Sequence, residues 1–159
     1  MDDAFQGLEA FLQRVPYARF LGMRVELAGD EMTAVLPFAP HLVGNPTLPA
    51  LHGGVIGAFM EMTALAQLSL AQPGRKIPKT IDITIEYLRS ARAQDTFARA
   101  TLRKVGRRVA NVQVECWQDS RSRPVAGMTG HFLLRGSGSR VLPEPPALHA
   151  PGPAPPRPW

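Results

Sequence analysis

Apolar positions along the chain change period twice. Phe5, Leu8, Phe11, Leu12 and Val15 recur at helical spacing, which predicts a short amphipathic helix over residues 4–15, ended by Pro16. Two short strands are predicted over 23–28 and 31–37, turned through Gly29-Asp30. Residues 38–51 are rich in Pro and Gly and read as a loop. Then Val55, Ile56, Phe59, Met60, Met62, Leu65, Leu68 and Leu70 cover the whole circumference of a helix over residues 54–71, terminated by Pro73-Gly74. A helix apolar on every side is a buried one. Beyond it the period drops to two. Ile81, Ile83, Ile85 and Tyr87 alternate with Thr80, Asp82, Thr84 and Glu86, the pattern of a half-buried strand. Further strands are predicted over 97–105 and 109–117, joined as a hairpin by Gly106-Arg107-Arg108, and over 124–135. Strands and helices do not alternate, which argues against a doubly wound parallel sheet. The expected fold is α+β: an antiparallel sheet wrapped around one long central helix.

Composition sets the boundaries. The 159 residues fit one domain. Eight of the 16 prolines fall in residues 136–159, a segment that builds neither helix nor ladder. A folded domain over 1–135, with a disordered Pro-rich tail behind it, is the expectation. No run reaches the ~18 consecutive apolar residues of a membrane span. Met1-Asp2-Asp3 puts acid where a signal peptide carries positive charge. The single cysteine, Cys116, leaves no disulfide framework and no multi-cysteine zinc site. A soluble cytoplasmic protein without a membrane partner is expected.

The net charge of +5 is unevenly spread. Residues 75–108 hold ten Lys and Arg against three acids, Asp82, Glu86 and Asp95, a local excess of +7. Only Tyr87 and Phe97 supply aromatic rings there and no recognition motif accompanies them, so nucleic acid is not the expected partner. A small phosphorylated ligand suits the segment better, with Arg89, Arg107 and Arg108 as candidate contacts. A solvated charged face is the plain alternative.

Glu61 is the outstanding candidate for chemistry. It is the only Asp, Glu, Lys or Arg between His52 and Arg75, and it interrupts the apolar helix. A carboxylate in such surroundings is paired, neutralised, or placed for a purpose. His52-Gly53-Gly54 opens the same helix. Its glycines permit close backbone approach, and a first turn leaves amide donors unpaired. Those amides can hold an oxygen that becomes negative. Asn45, in the loop before the helix, is either an added donor or a turn former, since Asn-Pro opens turns. Cys116 reads as core. His41, His131 and His149 have no metal-ligand spacing, and Ser69 lacks a nucleophile elbow.

The run Phe20-Leu21-Gly22-Met23, Asn45, Leu51-His52-Gly53-Gly54-Val55-Ile56 and the acid at Glu61 together resemble the hotdog-fold acyl-CoA thioesterases, in particular the phenylacetic-acid-degradation type. The strand Thr80-Ile81-Asp82-Ile83-Thr84-Ile85-Glu86-Tyr87-Leu88-Arg89 fits as well, and the likeness extends over residues 16–135. The resemblance implies hydrolysis of an acyl- or aryl-coenzyme A thioester, with no metal or cofactor. It implies dimers that pair sheets edge to edge, and often tetramers. On the family pattern Glu61 attacks the carbonyl or activates water. The Gly53 amide polarises that carbonyl with support from Asn45. His52 is expected among the catalytic residues, and Gly54 and Thr80 among those that bind substrate, Thr80 lying where some relatives place a water-orienting hydroxyl. Many members carry Asp where this chain has Glu61. Competing expectations are a non-catalytic acyl-CoA-binding protein and a dehydratase or hydratase, the latter lacking its usual His-bearing loop motif here.

Spacing adds one expectation. Gly53 and Glu61 are eight residues apart, roughly 12 Å along a helix, too far for both to reach one carbonyl. Two antiparallel helices related by a twofold axis bring each start near the middle of its partner.

Overall fold

The computed structural model describes residues 2–29 and 31–136. All of the expected tail but Gly136 lies outside them. The elements run α1 (Asp2–Arg14), α2 (Pro16–Leu21), β1 (Arg24–Ala28), β2 (Glu31–Leu36), a 3-10 turn (Pro40–Leu42), β3 (Val43–Asn45), β4 (Ala50–Leu51), α3 (Gly53–Ala71), β5 (Lys76–Tyr87), β6 (Thr96–Val105), β7 (Val109–Trp117) and β8 (Ala126–Arg135). Six strands form one antiparallel sheet in the order β1-β2-β6-β7-β8-β5. β3 and β4 form a separate small ladder.

α3 packs against β2, β5, β6, β7 and β8, with α1 and α2 on its other side. Phe59, Met60, Ala64, Ala66 and Leu68 are fully buried on it. The all-round apolar pattern thus has its expected cause: the sheet wraps the helix in the hotdog arrangement. By length and composition α3 would also cross a bilayer, but here its apolar surface is taken up by the sheet and by α1 and α2.

Three local expectations change. Pro16 begins α2 rather than merely ending α1, because proline's fixed φ and missing N–H suit a first helical position. Residues 38–51 are not plain loop; they hold the 3-10 turn and the β3–β4 ladder. The alternation in β5 is broken by a register shift between Thr80, opposite Phe132, and Asp82, opposite His131. The extra residue turns Thr80 toward α3 and leaves Ile81 53% exposed.

Candidate active site

The start of α3 is built by its cap. His52 is extended (φ −64°, ψ 132°) and its Nδ1 accepts from the Gly54 N–H at 2.9 Å. The His52 carbonyl accepts from the Val55 and Ile56 amides at 3.0 and 3.2 Å. Of the first-turn donors, the Gly53 N–H alone has no acceptor among the described residues. The cap therefore singles out one open amide, with the positive end of a 19-residue helix behind it.

This start is held tightly. The Leu51 N–H donates to the Ala91 carbonyl at 2.8 Å and the His52 N–H to the Leu42 carbonyl at 2.9 Å. Gly44 lies so close that an added Cβ would sit 2.6 Å from the His52 Cα. Asn45 pairs with Ala50, and its Oδ1 accepts from the Thr47 and Leu48 amides at 3.0 and 3.4 Å. Asn45 thus closes a turn beside the helix start.

Glu61 stands two turns further on, half-buried. The Thr80 hydroxyl donates to its Oε1 at 2.7 Å, so the β5 bulge supplies the carboxylate's partner. Tyr87, at the other end of β5, donates its hydroxyl to the Gly53 carbonyl at 2.8 Å. The sequence reading did not single out Tyr87 as a site residue. Its place in the alternation with Ile83 and Ile85 marked it for the α3 face, but which helix residue it meets depends on how the helix docks.

Gly53 opens onto a cleft of about 370 Å³ lined by Ile56, Tyr87, Arg89, Ser90 and Ala91 among others. Arg89 is braced there by donating to the Pro124 carbonyl at 2.7 Å. Neither Glu61 nor Thr80 lines this cleft. Arg107 and Arg108 lie at the opposite end of the sheet. Val109 pairs with Leu133, and Leu133 with Lys79, beside Thr80. Gly53 with Tyr87 and Arg89 therefore lies toward one end of β5, and Glu61 with Thr80 lies toward the Arg107–Arg108 turn at the other.

Other reactive residues serve elsewhere. Cys116 is buried in β7, and desolvation pushes its thiol up to about 12, too high for a nucleophile at neutral pH. His131 pairs with Asp82 at 2.8 Å and Asn111 at 3.0 Å on the sheet face turned away from α3. Among the described residues no group of three or more His, Cys, Asp or Glu has the geometry to hold a metal.

Known proteins resemble the chain along most of its length. The profile of the Thioesterase superfamily matches residues 48–125, the stretch holding Gly53, Glu61, Thr80 and Arg89. The medium/long-chain acyl-CoA thioesterase YigI of Escherichia coli strain K12 is 32% identical over 142 residues, covering 79% of this chain and 90% of that one. A crystal structure from Chromobacterium violaceum superposes with a TM-score of 0.67 at 35% identity, covering 84% and 97% of the two chains. A phenylacetic acid degradation-related protein of Ralstonia eutropha shares the fold with a TM-score of 0.68 at 23% identity, covering 80% and 98%. With a hotdog sheet around α3 and a relative of this identity matched across nine-tenths of its length, the chain belongs to the thioesterase superfamily and is a thioester hydrolase.

Proposed function

We propose that the chain hydrolyses acyl-coenzyme A thioesters at sites shared between two copies, with Glu61 as base or nucleophile and the Gly53 amide as oxyanion donor. The observation that carries this reading is the Thr80–Glu61 hydrogen bond on the helix whose cap leaves the Gly53 N–H open. Acting as base, Glu61 takes a proton from water while the water oxygen bonds to the thioester carbonyl. The Gly53 N–H receives the developing oxyanion. On collapse the C–S bond breaks, and the proton held by Glu61 goes to the departing thiolate. Acting as nucleophile, Glu61 displaces the thiolate directly and water then cleaves the mixed anhydride. His52 acts as a positioning residue by fixing the first turn, Gly54 allows close approach, and Asn45 shapes the adjoining turn. Similarity to YigI supports a medium or long acyl chain.

Pairing of two copies rests on the sheet edge. β5 is an outer strand, and Ile77, Ile81 and Tyr87 are exposed along it. Such an edge is a template for a further strand. Gly57, midway between Gly53 and Glu61, lies against Ile85. A twofold axis near that point sets Thr80 of one copy toward Tyr87 of the other. Arg89 of one copy and the Arg107–Arg108 turn of the other then flank the same site, where they meet coenzyme A phosphates.

The test is an acyl-CoA panel read by thiol release. Wild-type protein should turn over, and Glu61→Gln should lose at least about 100-fold in kcat, the scale of general base catalysis, with an unchanged thermal unfolding curve. Binding without turnover by the wild type would instead favour the non-catalytic reading.

A further inference from the structure

α2 and the following 3-10 turn carry an exposed aromatic shelf that none of the chemistry above uses. The Tyr17 and Phe20 rings stack with centroids 5.6 Å apart, and Phe20 meets the His41 ring edge-on at 4.9 Å. His41 fixes the arrangement by donating from Nε2 to the Phe20 carbonyl at 3.0 Å. Tyr17 and Phe20 nevertheless remain 47% and 55% exposed, while their helix neighbours Ala18 and Leu21 are buried. Scattered apolar side chains are ordinary on a surface, but a clamped stack is a contiguous patch, and such patches mark binding sites.

Backbone geometry places the shelf relative to the open amide. In extended chain, successive N–H groups point to opposite sides. The Leu51 N–H points to Ala91, on the flank that carries Arg89 and Ser90. The His52 N–H points to Leu42, the residue after His41. Gly53 follows directly, so the helix start joins the flank that carries Arg89 to the segment that carries His41. An acyl-coenzyme A has the same polarity, its carbonyl dividing a phosphorylated arm from an apolar tail.

We propose that the Tyr17–Phe20–His41 shelf is the acyl-chain subsite, and that it selects straight aliphatic tails of medium to long length. The inference rests on the acyl-coenzyme A reading above. An open shelf has no end wall, so it accommodates a flexible chain of increasing length rather than measuring a compact ring.

The experiment measures kcat/KM for butyryl-, octanoyl- and hexadecanoyl-CoA with wild type, Phe20→Ser and Tyr17→Ser, beside binding of the unreactive S-hexadecyl-CoA thioether. Wild type should favour the longer chains. Each variant should lose about tenfold with hexadecanoyl-CoA, the scale of a lost apolar contact in a pocket, while butyryl-CoA hydrolysis stays unchanged, and thioether binding should weaken in parallel. Unfolding curves check that both variants fold, and because Tyr17 and Phe20 are tested separately, one failure to fold leaves the other. An unchanged ratio of long- to short-chain rates would overturn the subsite while leaving the thioesterase reading intact. Equal loss for all chain lengths with a changed molecular mass would make the shelf a contact between copies and also overturn it. If the wild type turned over none of the panel, the parent reading would fail, and unaltered thioether binding in the variants would then reject the shelf independently.

Discussion

Thr80 acquires its place beside Glu61 from one extra residue in a ladder. Period-two reading of β5 puts it on the polar side with Asp82, yet the bulge turns it to Glu61. A hydrogen bond to a charged group contributes about 1.5–3 kcal/mol, and here it engages Oε1 of Glu61, the carboxylate proposed as base or nucleophile. Thr80→Val is therefore expected to lower kcat about tenfold or more with little change in KM, and Thr80→Ser to restore most of it. Steady-state kinetics on a single acyl-CoA decide the matter, and equal kcat in Thr80→Val would remove the residue from the mechanism. The same residue-scale logic explains Cys116, whose thiol is silenced by burial rather than by its chemistry.

At the scale of elements, the start of α3 depends on its packing against the strands before it. Gly44 has no room for a side chain because the His52 backbone stands in the way, and a backbone neighbour yields less readily than a side-chain tip. Gly44→Ala should cost about 1–3 kcal/mol, as overpacking does, lowering Tm by roughly 3–10 °C. Since the strain falls on the cap residue, kcat should drop by more than the unfolded fraction explains. A scan of thermal stability set against activity at low temperature separates the two effects. Pro16 teaches the complementary lesson: the residue that breaks one helix starts the next, so the segment bearing Tyr17 and Phe20 is helix, not connector.

For the whole molecule, the proposal of a site shared between two copies leads to the sharpest test. Glu61→Gln and Gly53→Pro are each expected to be inactive, the latter because proline has no amide donor. Mixed under conditions that exchange subunits, they should recover activity, since a heterodimer contains one intact pairing of Gly53 from one copy with Glu61 from the other. No recovery in heterodimers verified by mass would reject the shared site. Charge gives a second whole-molecule expectation. Neutralising Arg89, or Arg107 with Arg108, should raise KM more than it lowers kcat, because phosphate contacts remote from the carbonyl give uniform binding. Added salt should mimic the effect in the wild type and have less left to screen in the variants. An unchanged KM would make these arginines a solvated face.

Local periodicity was enough to determine α3 as the buried helix, the β6–β7 hairpin and the oddity of Glu61, because each depends on residues close along the chain. The antiparallel sheet followed from the order of elements, although its pairings join distant residues. The His52-Gly53-Gly54 start was likewise legible as a place of open amides, though not that the His52 ring would occupy Gly54's and leave Gly53's. Tertiary structure alone decided the partners. Thr80 meets Glu61, and Tyr87 meets Gly53, only because α3 docks antiparallel to β5 across a bulge, and a bulge offset or a docking register leaves no trace in the period of either element. The β3–β4 ladder and the His41 clamp on Phe20 are non-local in the same way. Pattern along a chain records which face of each element is buried, whereas the choice of atoms that meet is made when those faces are pressed together.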